Sequence, residues 1–119
     1  MTNEEFTQES KTLIKTCLIT LGTKGVEYQS SKKGDDNVFD NFERAANDLG
    51  VDRIIPLKIY MNKHWDSICT FIRRLNSNQS LKEVEADMSE PINGRIVDLI
   101  NYLLLMNSMI NEERNKEDN

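Results

Sequence analysis

The chain has 119 residues, with 15 basic and 20 acidic side chains, a net charge of −5, two cysteines, two prolines and five glycines. That length suits one domain, which we place over residues 1–119 with a core of about 3–113 and a charged tail, 114–119. The acidic balance and scattered cations exclude non-specific nucleic-acid binding, no apolar run is long enough for a membrane span, and few prolines and glycines disfavour a turn-rich β protein.

The first predicted helix covers about residues 3–22. Asn3 is its expected cap, and Glu4 and Glu5 suit its positive end. Phe6, Leu13, Ile14, Cys17, Leu18 and Leu21 recur at helical spacing. Gly22 or Gly25 is positioned to end it, with a kinked continuation to Tyr28 as the alternative. Residues 29–36 are polar throughout and read as a loop.

A second helix is predicted over about 37–49, capped by Asp36 or Asn37 and followed by Gly50. Phe39, Phe42, Ala45, Ala46 and Leu49 form its inner face. The third spans about 53–75, with Asp52 as cap and Pro56 in its first turn, where a missing N–H costs least. Ile59, Tyr60, Trp65, Ile68, Cys69, Ile72 and Leu75 supply its apolar surface. Residues 80–86 read as a short helix or an irregular segment. The last helix runs about 90–113, with Ser89 as cap, and frays through the tail. From Leu103 to Met106 it is apolar nearly all round, which predicts burial on several sides or a subunit interface.

These elements predict an all-α bundle of four to five helices, forming a homo-oligomer, most simply a dimer. Both cysteines fall in apolar helical patterns and read as reduced thiols, and the acidic N-terminus has no signal-peptide pattern. The expected setting is cytoplasmic.

Two polar clusters interrupt the apolar patterns. Arg95, Asp98 and Asn101 follow one another at three-residue spacing in the last helix, and Tyr102 extends them. A carboxylate among branched aliphatics is costly to bury unless something pairs with it. Asn62, Lys63, His64 and Asp66 form the second cluster, on the third helix. If the two helices pack side by side, Asp66 and Asp98 could hold Mg²⁺, which prefers oxygen ligands, while Lys63 and Arg95 contact phosphate. The bland alternative is a solvated Lys63–Asp66 pair and a structural Arg95–Asp98 pair.

Lys24, Glu27 and Tyr28 offer a cation, a carboxylate and an aromatic just before the loop. Tyr28 could stack on a base, and the Asn41 amide could read a base edge. Phe39, Phe42 and Trp65 read as core. His64 is the single histidine and has no histidine or cysteine at zinc-ligand spacing. No phosphate-binding glycine loop, dinucleotide turn or nucleophile elbow is present.

Taken in order, Lys24-x-x-Glu27-Tyr28, Asn41-Phe42-x-x-Ala45-Ala46, Lys63-His64-x-Asp66 and Glu90-Pro91-Ile92-x-Gly94-Arg95-x-x-Asp98-x-x-Asn101-Tyr102 resemble a family of small phage proteins described as nucleotide-modification-associated or MazG-like. The resemblance covers about residues 11–110. It implies an all-α, Mg²⁺-dependent nucleoside triphosphate pyrophosphohydrolase acting as a dimer or tetramer. It makes Asp98 the final aspartate of an E-x-x-D metal motif, with Arg95 where the partner glutamate belongs, and Lys63 and Asp66 in place of an E-x-x-E pair. Fewer carboxylates weaken Mg²⁺ binding, whereas added cations suit phosphate capture. Three expectations follow: a pyrophosphohydrolase with Asp98 and Asp66 catalytic; a non-catalytic sponge for a linear or cyclic nucleotide, including a defence-signalling one; or a structural helical oligomer. In the first two, Lys24, Tyr28, Asn41, Lys63, Arg95, Asn101 and Tyr102 bind the nucleotide.

Overall fold

The computed structural model describes residues 1–28 and 37–118, with side chains up to 23 and from 37 onward. The predicted loop 29–36 lies outside the described residues. Among those described there are five helices and no strand: α1 (Asn3–Tyr28), α2 (Asp40–Leu49), α3 (Ile54–Asn76), α4 (Leu81–Ala86) and α5 (Ile92–Glu117). The chain is all-α. It divides into two compact units, Met1–Pro56 and Leu57–Asn119. No helix of the described residues is long and apolar enough to cross a membrane.

In the first unit, α1 starts from Thr2 rather than from an Asn3 cap. The Glu5 amide donates to Thr2 Oγ1 at 3.1 Å, and the Thr2 amide donates to Glu5 Oε2 at 3.1 Å. This reciprocal box satisfies two amides that the first turn leaves unpaired. The helix continues past Gly22 to Tyr28, the longer of the two predicted extents.

The second helix begins three residues later than expected. Asn37 closes a turn instead of capping: its Oδ1 accepts from the Phe39 amide at 3.0 Å and its Nδ2 donates to Glu43 Oε2 at 3.0 Å. Arg53 Nη1 donates to the other oxygen of Glu43 at 3.0 Å, and its guanidinium lies 4.9 Å from the Phe39 ring centroid. Glu43 thus ties both ends of the 37–53 segment together.

Cys17, Phe39, Phe42 and Ala46 are buried in this unit. Leu49, expected on the inner face, is 63% exposed. It is the last residue of α2, just before the chain turns through Gly50 at φ +69°. The Gly50 amide donates to the Ala46 carbonyl, closing the helix in the left-handed conformation that glycine adopts without penalty. A Cβ at Gly50 would meet no other atom within 4 Å, so only the backbone resists substitution. Gly50→Ala should therefore destabilise by about 1–2 kcal/mol, read as a lower thermal midpoint. An unchanged midpoint would show that the turn relaxes to another conformation.

Asp52 caps α3 as expected, with its Oδ1 accepting from the Ile54 amide at 2.9 Å. In the second unit, α3 ends in a turn through Asn78 at φ 68°, a residue type that tolerates this region. Arg74 fastens that turn by donating to Gln79 Oε1 and to Asp87 Oδ2, each at 2.7 Å. The 80–86 segment is helical because Ser80 caps it, accepting from the Glu83 amide at 3.1 Å. Ser89, in contrast, does not cap α5; Pro91 holds the N-cap position, and the helix starts at Ile92. The predicted fraying tail is helical to Glu117, where Lys116 lies 3.7 Å from Glu112 and 3.6 Å from Glu113.

The buried side chains of the second unit are Leu57, Val84, Ile92, Val97, Leu105 and Met109, with the polar His64 and Asn101 among them. On α5 the buried positions after Ile92 are 97, 101, 105 and 109. That four-residue step defines one slowly drifting stripe. Within the single chain it corrects the expected burial on several sides, since Leu103 and Leu104 are 48% and 39% exposed. Both cysteines are unbridged thiols, Cys17 buried and Cys69 half-buried.

Candidate functional site

The polar residues of the second unit gather where α3 meets α5. Tyr60 and His64 are one helical turn apart on α3, as Asp98 and Tyr102 are on α5, so each pair shares a helix face. The Tyr60 and Tyr102 rings stack at 6.0 Å between centroids with 9° between their planes, and His64 sits 5.3 Å from Tyr102, tilted by 33°. His64 Nδ1 lies 3.7 Å from Asp98 Oδ2, with side chains only 11% and 12% exposed. The order of contacts, 60 to 102, then 64 to 102 and 98, makes the two helices antiparallel here.

At 3.7 Å the His64 Nδ1–Asp98 Oδ2 separation exceeds hydrogen-bond range. Both side chains are largely shielded from water, where any charge interaction between them is stronger than in solvent. Asn101 is one turn beyond Asp98, in the core stripe between Val97 and Leu105, and is 6% exposed. Among the described residues its Oδ1 has no hydrogen-bond partner. Arg95 begins the constellation. Its Nη2 donates to Ser89 Oγ at 3.2 Å, its Nη1 lies 3.5 Å from Glu90 Oε1, and its buried Nε has no hydrogen-bond partner among the described residues.

Of the residues selected from the sequence, Asp98, Asn101 and Tyr102 cluster on successive turns of α5. Arg95 shares their helix but turns toward Ser89 and Glu90, so the Arg95–Asp98 pair of the bland alternative is replaced by two others. Lys63 and Asp66 are exposed on α3, and no ion pair joins them. Asn41 is half-buried on α2, in the first unit. Lys24, Glu27 and Tyr28 lie at the end of α1, and their side chains are outside the described ones.

His64, Tyr60, Ser89 and Glu90 were named in the sequence as a cluster member, an apolar surface residue, a cap and a motif residue, and none of them was given a place in the site. A four-residue spacing matching that of Asp98 and Tyr102 was the available signal for the first two. It becomes informative only once the helices are known to pair. For Glu90, the neighbouring glycine was the signal.

Among the described residues, no group of three or more His, Cys, Asp or Glu side chains converges as metal donors. Mg²⁺ requires near-octahedral oxygen coordination, and Asp98 here is turned toward an imidazole. The described donor set does not fit a resident Mg²⁺. No protein-family model, curated protein or solved structure matches the chain.

Proposed function

We propose that this protein captures a nucleotide at the α3–α5 face of its second unit, in keeping with its resemblance to phage-type MazG-like proteins. The observation that carries the reading is the buried Asn101, whose Oδ1 has no hydrogen-bond partner among the described residues although it occupies a position in an apolar stripe. Leaving a buried acceptor unsatisfied costs about 1–3 kcal/mol, and an aliphatic side chain would avoid that cost. A ligand donor, such as a base amino group or a sugar hydroxyl, would satisfy it.

The neighbours suit the other parts of a nucleotide. Tyr60 and Tyr102 offer aromatic surface, and stacking on a base contributes about 1–3 kcal/mol. Arg95 is the half-buried cation for phosphate. The His64–Asp98 pair supplies further polar groups beside them. Capture is favoured over turnover because these groups bind and orient, while the described residues bring together no set of metal-binding carboxylates.

Calorimetry against the eight common ribo- and deoxyribonucleoside triphosphates and a set of cyclic dinucleotides tests this. Binding followed by recovery of intact ligand from the denatured complex is the expected result. Mg²⁺-dependent release of pyrophosphate would make the protein a pyrophosphohydrolase instead. No heat of binding to any member would overturn the nucleotide reading. A preference for cyclic members would identify a sponge for a signalling nucleotide.

A further inference from the structure

Gly94 is the third residue of α5, and the Glu90 carboxylate lies against it. A Cβ at position 94 would stand 2.8 Å from Glu90 Cδ and Oε2, and 3.1 Å from Oε1. Glu90 therefore occupies the space that any other residue at 94 would fill. The first turn of a helix favours a carboxylate there, because its unpaired amides and dipole are positive. From this seat Oε1 reaches to 3.5 Å from Arg95 Nη1, and the adjacent Ser89 Oγ accepts from Nη2 at 3.2 Å.

Both terminal nitrogens of Arg95 are thus held by the two residues just before the N-cap. The side chain is 26% exposed. A guanidinium has five N–H donors, and this arrangement engages two of its three nitrogens without using all of them. An arginine on a free stem loses much rotamer entropy when it grips an anion; one already held loses less.

We propose that Glu90, seated on Gly94, is a positioning residue that pre-orients Arg95 for a phosphate group. The role of phosphate as its anion rests on the nucleotide reading above. Ser89 completes the hold, and Gly94 is required for the room it leaves. Glu90 touches no ligand in this scheme and acts only through Arg95.

Gly94→Ala displaces the far end of a flexible side chain, so α5 survives, and alanine is the better helix former. Its thermal midpoint should match or exceed the parent's. Affinity for the tightest-binding triphosphate of the panel should fall about 3- to 10-fold in Gly94→Ala and in Glu90→Ala. Glu90→Gln, which keeps an oxygen for the guanidinium, should recover most of it. The side-chain Nε–H signal of Arg95 in ¹⁵N NMR gives a ligand-free readout: slow hydrogen exchange in the parent and in Glu90→Gln, and fast exchange in Gly94→Ala and Glu90→Ala.

Parent-like exchange and affinity in Gly94→Ala would overturn the proposal. Arg95→Ala binding as tightly as the parent would instead remove Arg95 from the nucleotide site, while the exchange data still decide whether Glu90 holds it.

Discussion

Asp98→Ala is expected to cost the protein both stability and nucleotide affinity. The carboxylate is nearly buried and faces the equally buried His64. Removing it leaves an imidazole without its negative neighbour in a water-poor setting, a loss of about 1–3 kcal/mol. Thermal denaturation should register this as a drop of several degrees. Coupling between the two residues is read from a cycle of Asp98→Ala, His64→Ala and the double variant. An interaction energy of about 0.5–3 kcal/mol is expected for residues in contact. Additive effects would show that the two side chains are only neighbours.

The functional half of the same experiment is the nucleotide titration. A variant that remains folded should bind at least about tenfold more weakly, the scale of one lost charge-assisted contact. Asp98→Asn keeps the shape and removes the charge, so it separates packing from electrostatics. If Asp98→Asn lowers the thermal midpoint and leaves affinity untouched, the His64–Asp98 pair is a structural polar seam and the third of the sequence-based expectations gains ground.

The second large effect is expected at Leu57. It is fully buried and among the largest side chains with no solvent exposure. Leu57→Ala should destabilise by about 2–5 kcal/mol, through lost transfer energy and the cavity left behind. Domains of this size are stable by only about 5–15 kcal/mol, so urea unfolding should move to a much lower midpoint.

Leu103→Ala provides the contrast. At 48% exposure it should change the stability of the isolated chain by no more than about 0.5 kcal/mol. A larger loss that depends on protein concentration would identify Leu103 as part of the subunit interface expected from its sequence context.

Most of the helix plan was legible because it rests on local signals. The Asp52 and Ser80 caps act on amides two or three residues away, so a short window of sequence contains both partners. The errors are instructive for the same reason. Asn3, Asn37 and Ser89 are all good capping residue types, yet Thr2 and Glu5 close the first box, Asn37 builds a turn with Glu43, and Ser89 accepts from Arg95. The Asn37 and Ser89 side chains took other partners and the first box began one residue before Asn3, and residue type alone names none of these. Leu103 and Leu104 differ: their hydrophobicity was visible, but which side of α5 the single chain covers was not.

The candidate site shows the same division. Asp98, Asn101 and Tyr102 stood out because a carboxylate, an amide and a phenol break an apolar run, and that contrast is a property of the sequence itself. The partner of Asp98 was not readable. Sequence spacing offered Arg95, three residues away on the same helix; the structure instead gives Asp98 the imidazole of His64, on α3, and turns Arg95 to Glu90 over the bare backbone of Gly94.

Sequence by itself therefore determined that this chain is helical, where most of its helices lie and which α5 residues are chemically out of place. Helical period, caps and polarity act over a few residues, and the chain carries them wherever it goes. Only the tertiary structure decided which charges meet, because that depends on the antiparallel pairing of α3 with α5 and on a carboxylate settling where a side chain is missing. Those are contacts between surfaces, and no local pattern contains both of their sides.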